Sequence, residues 1–362
     1  MGIPVKGTKN GAGKAVGFEE INPSDPIPGN LVAGLMGNNG FINGDLGIWQ
    51  RRTSGRVGVG TGTLGPEAFF ADRFTASALN CTHDVSRGIV GSGATTLPPT
   101  TTYAILCQVS GATATSAAWM GQRIENVRSR QGQVTISFKA NGTIGNKVGV
   151  RVIQSFGTGG SAEVGTEVGV FSADANPTLK QFTFTIPSTA GKILGAGNND
   201  FIYIVFDFCG TGYGGVMAGQ NGTYAISDFN IEVGPVATAF EYREPGIEWI
   251  LCQRFYEVLS YTGATGTTFT SNGDTRCGRN FRVRKREVPR VSFGGSFSVI
   301  GAGSDGNIVN VIIDTVTSMV PSVDGVRISG IGNGPVMSGA GAVVTWGDNG
   351  QYNPVVRADA EF

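Results

Sequence analysis

Apolar and polar residues alternate with a period of two along much of the chain. In Gln181-Phe182-Thr183-Phe184-Thr185-Ile186 the residues Phe182, Phe184 and Ile186 fall on one face, with Thr183 and Thr185 on the other. That is the pattern of an antiparallel strand with one buried and one wet face. Segments 103–109, 134–138 and 148–152 repeat this kind of short alternation. Segment 201–206, FIYIVF, is apolar on both faces, which predicts a central strand covered on both sides. Several such strands separated by turn residues predict a two-sheet sandwich, with the jelly roll as its arrangement.

The pattern changes at both ends. Residues 1–39 are rich in Gly, Pro and Asn, with Pro23, Pro26 and Pro28 close together, and carry no sustained hydrophobic period. They read as an extended arm that buries too little apolar surface to offset its own chain entropy. After Pro245, Ile247, Ile250, Leu251 and Phe255 recur at roughly helical spacing and predict a short helical connector. A second, smaller β-sandwich domain follows, with strands expected at 281–285, 290–300, 307–317 and 343–346. The expectation is therefore an all-β chain: arm 1–39, jelly-roll sandwich 40–245, helical connector and C-terminal β domain 246–362.

Composition supports strands and tight turns, with 58 glycines and 21 phenylalanines in 362 residues. The formal net charge is +0, so no global field draws the chain to nucleic acid or to an anionic membrane, and neither partner is expected. The N-terminus lacks the basic-then-apolar pattern of a signal peptide, and no segment is apolar for long enough to predict a membrane span. Five cysteines, at Cys81, Cys107, Cys209, Cys252 and Cys277, lack zinc-site spacing, so no metal is predicted. Buried thiols are expected, above all at Cys107 and Cys209. The alternative is a disulfide between chains involving Cys81 and Cys277.

Catalytic patterns are thin. Segment 60–65 has the glycine spacing of a dinucleotide fingerprint, but Pro66 follows it and no strand-helix-strand context surrounds it. Segment 7–14 imitates a phosphate loop with one residue too many, and Ala15 replaces the metal-binding hydroxyl. No cofactor is implied. His83, the single histidine, reads as a loop residue. Asp45, Asp72, Glu125 and Asp228 are the carboxylates available for glycoside hydrolysis. Asp45 and Asp72 fit turn capping and ion pairing better, Asp72 beside Arg73. Trp49 and Trp119 are assigned to the core.

The strongest local charge feature is Arg276, Arg279, Arg282, Arg284, Lys285, Arg286 and Arg290. On a strand, Arg282, Arg284 and Arg286 would share one face and need water, a neighbouring subunit or an anionic ligand. Arg suits carboxylates and phosphates of a surface glycan because it offers paired donors. Trp346 and Tyr352, near turn residues, could stack on sugar rings.

Five blocks occur in order: NGDLGIWQRR at 43–52, FADRF at 70–74, MGQRIENV at 120–127, CQRFY at 252–256 and the ending DAEF at 359–362. Together they resemble the recurring signature of bacteriophage tail-fibre and other virion-surface proteins, whose jelly-roll module is similar to carbohydrate-binding modules. The resemblance implies a non-enzymatic virion protein made in the host cytoplasm and displayed on the particle as a tail fibre, collar appendage or capsid decoration. It implies attachment to other virion proteins through the arm with Pro23, Pro26 and Pro28, a homotrimer, and adhesion to bacterial surface polysaccharide. A purely architectural virion protein is the alternative, and a polysaccharide depolymerase ranks below both, since no long β-helix repeat is visible.

Overall fold

The computed structural model describes residues 5–9, 15–20, 39–58, 67–89, 102–240, 242–260, 264–268, 274–294, 297–302, 308–333, 343–347 and 355–361. The chain divides into two compact units, Met1–Asn38 and Asn39–Phe362. The first contains an antiparallel hairpin of β1 (Val5–Lys9) and β2 (Ala15–Glu20). Pro23, Pro26 and Pro28 lie outside the described residues.

The second unit begins with twelve strands in two six-stranded antiparallel sheets. In chain order they are β3 (Ser54–Val57), β4 (Ala68–Phe69), β5 (Phe74–Leu79), β6 (Thr82–Ile89), β7 (Tyr103–Ser110), β8 (Ala117–Glu125), β9 (Gly132–Gly142), β10 (Lys147–Ser155), β11 (Val164–Ser172), β12 (Thr178–Ile186), β13 (Phe201–Cys209) and β14 (Gly222–Val233). The first sheet runs β11-β10-β13-β8-β5-β4 and the second β12-β9-β14-β7-β6-β3. The predicted sandwich is present, and 201–206 does form a central strand, β13, flanked by β10 and β8. Its neighbour β8 comes so close at Gly121 that a Cβ there would sit 2.1 Å from the Ile204 carbonyl oxygen, so only glycine fits.

The alternation read from sequence becomes the core. Val134, Ile136 and Phe138 from β9 meet Ile202, Ile204, Phe206 and Phe208 from β13, all within 1% of complete burial. Phe138 is the hub of an aromatic cluster, with ring centroids 4.9 Å from Phe206, 5.4 Å from Phe171, 6.3 Å from Phe182 and 6.5 Å from Phe229. Phe41 and Phe74 extend it past Phe229. Cys107 and Cys209 are buried in strands as expected, and Cys81 and Cys252 are buried too, all four as free thiols.

Helix α1 (Pro245–Gln253) follows, begun by Glu244, whose side chain accepts from Ile247 N–H, and by proline in its first turn. It is present as predicted. Glu248, Cys252 and Gln253 are buried, while Ile250 is 54% and Trp249 44% exposed. The buried side is chosen by the polar partners of Glu248.

The C-terminal region is also all β. β15 (Tyr256–Ser260), β23 (Val355–Asp359) and β18 (Arg290–Gly294) form a three-stranded sheet. β16 (Ala264–Thr268), β17 (Asp274–Asn280), β21 (Gly325–Asn333), β20 (Ile308–Pro321), β19 (Phe297–Ala302) and β22 (Val343–Gly347) close into a barrel. The strand expected at 281–285 is absent, because that segment is irregular. Its backbone follows a turn: Phe281 N–H donates to Asp324 O and Lys285 N–H to Val323 O.

Candidate functional site

Two places gather polar side chains, and they differ in kind. The first is the joint between the sandwich and the C-terminal sheet, where all five sequence blocks meet. Asn43, at φ 60°, uses its amide to bind the Ile48 and Asp72 carbonyls and its Oδ1 to accept from Ile48 N–H, which fixes the loop. Its own N–H donates to Glu248 of α1. Asp72 accepts from the Gln50 backbone and side chain, and Gln50 continues to the Tyr256 carbonyl at 3.0 Å. Gln122, pointing inward from β8, binds both backbone groups of Ile42 at 2.8 Å.

Arg73, 2% exposed, is the centre of the joint. Its guanidinium lies 3.4 Å from the Phe255 ring centroid, pairs with Glu361 and donates to the Arg123 carbonyl. Burial pulls its pKa down to about 9, so it remains charged at neutral pH. Arg51 stacks on Tyr256 at 3.7 Å and Phe69 at 4.3 Å while reaching Asp359 and Glu361. Arg243 pairs with Glu248 at 2.6 Å. Lys285 and Glu257, each with a fully buried side chain, pair at 2.5 Å, and burial lowers the lysine pKa. The ion pair read between Asp72 and Arg73 is thus replaced: Asp72 takes Gln50, and Arg73 takes the chain's penultimate residue. A separation of 288 residues hides that partner from sequence reasoning.

The second place is the outer face of the first sheet. Cross-strand register puts Gly149, Asp207, Trp119 and Ser77 in one row and Glu167, Arg151, Val205, Gly121 and Thr75 in the next. Trp119 therefore does not join the core; it stands half-buried on the outer face, between the inward-pointing Ala118 and Met120. Arg151 holds Asp207 through two hydrogen bonds, 2.9 and 3.1 Å. Burial raises the Asp207 pKa, and the guanidinium opposes that shift. Tyr213 packs over Gly149, where a Cβ would come within 2.3 Å of its ring. Tyr213 has φ 56°, a strained conformation for a side-chain-bearing residue, held by its N–H to Glu167 Oε1 at 2.9 Å. Tyr203 bonds Thr75 at 2.9 Å, and Arg123 pairs with Glu67 alongside.

The predicted site residues are dispersed. Arg282, Arg284 and Arg286 do not share a face, because the strand that would align them is missing. Arg282 and Arg284 have side chains 56% and 72% exposed, near Glu257 and Asp324 respectively. Arg286 is only 3% exposed and belongs to the joint, donating to the Asn198 carbonyl at 2.8 Å and the Ala360 carbonyl at 3.3 Å. Trp346 in β22 and Cys277 in β17 are placed by backbone alone, and Tyr352 lies outside the described residues. Cys81 is 7% exposed, with its thiol pKa pushed up to about 11 by burial.

Among the candidate carboxylates, Asp45 accepts from Gly47 N–H, Glu125 pairs with Arg254 at 3.0 Å, and Asp228 pairs with Lys139 at 2.7 Å. His83 is not a loop residue: it points into the core from β6, fully buried against Phe208, and its pKa falls to about 4. Among the described residues no group of three His, Cys, Asp or Glu side chains could hold a metal, and no helix is long and apolar enough to cross a membrane.

No protein-family model matches the chain, and no curated protein matches it. Solved structures similar to it include the family 11 carbohydrate-binding module of a Clostridium thermocellum cellulosomal cellulase, at 11% identity and TM-score 0.30, covering 48% of this chain and 97% of that one. The N-terminal cellulose-binding domain of Cellulomonas fimi β-1,4-glucanase C shows 16% identity and TM-score 0.26, covering 38% and 83%. The enzymatically active domain of bacteriophage CBA120 tailspike protein 4 shows 13% identity and TM-score 0.29, covering 54% and 22%.

Proposed function

We propose that the protein is a non-enzymatic component of a bacteriophage surface that adheres to host glycan through the outer face of the first sheet. The observation that carries the glycan half is the Arg151–Asp207 pair flanked by Trp119 and Tyr213 on one sheet face. Vicinal hydroxyls suit a guanidinium–carboxylate pair, which supplies donors and acceptors side by side, while an aromatic ring covers the apolar face of a sugar. The virion half is supported by the sequence blocks. Repeated copies on a particle would convert modest affinity at each face into firm adhesion.

Titration with polysaccharide extracted from the host surface tests this reading. Trp119→Ala and Arg151→Ala should each weaken binding by about tenfold. Equal binding by wild type and both variants would contradict it.

A second reading, a purely architectural virion protein, is favoured by one observation: the blocks that carry the resemblance are spent in the buried joint. If particles assembled without the protein were structurally defective yet adsorbed normally, this reading would displace adhesion.

A further inference from the structure

Charge on the outer face of the first sheet is unevenly cancelled. Arg151 on β10 and Glu167 on β11 are direct cross-strand partners, yet the guanidinium turns to the neighbouring row and gives Nε and Nη2 to Asp207 at 3.1 and 2.9 Å. Glu167 is left without a cation among the described residues: it is exposed, and its Oε1 accepts the Tyr213 N–H at 2.9 Å. Burial raises the Asp207 pKa, Arg151 opposes that shift and the charge of Glu167 adds to it, so the two carboxylates bear on one place. Other cations of this face do not cancel the excess. Arg123 pairs with Glu67, and Lys147 donates to Ser172 Oγ at 2.6 Å. Lys147 stands four residues along β10 from Arg151, about 13 Å in a strand, beyond the roughly 8 Å over which exposed charges act at physiological salt. Aromatic rings flank the excess charge: Trp119 is the cross-strand partner of Asp207, and Tyr213 covers Gly149. The Tyr213 hydroxyl is buried and has no hydrogen-bond partner among the described residues.

We propose that this face selects a saccharide bearing a protonated amine over neutral and acidic ones, with Glu167 as its specificity-determining residue. Glu167 and Asp207 offer acceptors to the ammonium N–H groups, and the Tyr213 hydroxyl oxygen offers a further one. The negative faces of the Trp119 and Tyr213 rings favour positive charge while covering the apolar face of the sugar. A uronate or sugar phosphate in the same place meets Glu167 and is repelled. The inference rests on adhesion through this face and narrows the ligand that the face takes.

The test uses the full chain and three β-1,4-linked oligosaccharides of equal length that differ in charge: a cello-oligosaccharide, its glucosamine counterpart and its glucuronate counterpart. Oligolysine serves as a cation without a sugar ring, and the pH is one at which the glucosamine amine is protonated. Glu167→Gln removes the charge but keeps an oxygen for the Tyr213 N–H, and Glu167→Asp keeps the charge; both should retain the wild-type circular dichroism spectrum. The expected order for wild type is glucosamine over cello over glucuronate, with the differences shrinking as salt rises. In Glu167→Gln the ratio of glucosamine to cello affinity should fall by about three- to fivefold, as for an exposed ion pair, whereas Glu167→Asp should preserve it. Equal affinity for the three sugars, preference for the glucuronate, an order that survives Glu167→Gln, or oligolysine bound as tightly as the glucosamine oligomer would overturn the proposal. Cello-oligosaccharide binding without discrimination by charge would remove the selection and leave adhesion standing. Failure of all three sugars and of host polysaccharide to bind would contradict adhesion and the selection together.

Discussion

The sandwich interior and the joint below it are both buried, yet they are built from opposite materials. Between the sheets, Phe138, Phe206, Phe229 and their neighbours make non-directional apolar contacts whose stabilisation grows with area removed from water. In the joint, Arg73, Glu361, Arg51, Lys285 and Glu257 are held out of water, where charges are stabilising only with partners in correct geometry. The apolar region sets how stable the fold is. The charged region sets which element docks where, because a misplaced partner leaves a buried charge bare.

The sharpest break of this comparison is expected in the sandwich. Phe138→Ala removes the ring that touches four others and should destabilise the protein by about 5 kcal/mol in chemical denaturation, the upper end for such truncations. A loss under about 2 kcal/mol would mean that the aromatic cluster collapses around the gap.

In the joint, Lys285→Met should cost about 4 kcal/mol, because it removes the close ammonium partner of buried Glu257 and leaves only the longer Arg282 contacts, 3.2 Å from its N–H and 3.8 Å from its guanidinium. Adding Glu257→Leu should restore most of that stability, a reversal no apolar pair would show. If the double variant were as unstable as the single one, the pair would matter through packing rather than charge.

A third contrast is acid sensitivity inside the apolar region. His83 has a folded-state pKa of about 4, below its ordinary value of 6.5, so the unfolded chain binds the proton first. Its contribution is fully present above pH ~6.5, is lost progressively as pH falls through that window, and amounts to roughly 3 kcal/mol. Measured stability of His83→Leu minus wild type should therefore rise between pH 6.5 and 4; a difference independent of pH would contradict the burial argument.

The smallest effect is expected at Leu179, 60% exposed on β12. Leu179→Thr should change stability by less than about 0.5 kcal/mol. A larger change would assign that face a contact beyond the sandwich.

Elements governed by local period were readable from the chain. Phe182, Phe184 and Ile186 announced β12, and the two-faced apolar run announced β13. The helix was readable in place from its spacing, whereas the burial of Glu248 was not, since it depends on Asn43, 205 residues away, and on Arg243. The arginine-rich segment was misread as a strand because alternation is indistinguishable from a loop whose alternate residues are anchored by a neighbouring turn. The blocks were recognised, but their common destination was not: Arg73 and Glu361 meet only after the chain has returned through the C-terminal sheet. Trp119 could have been placed from its neighbours, since Ala118 and Met120 already claim the inward positions of β8.

Hydrogen exchange on Arg73→Met tests most directly whether the charged joint fastens the C-terminal sheet to the sandwich. The predicted result is loss of protection at the β15 and β23 amides, Tyr256–Ser260 and Val355–Asp359, with protection of the β9 core amides around Ile136 and Phe138 retained. Unchanged protection in β15 and β23, or a uniform loss across β9 as well, would contradict it.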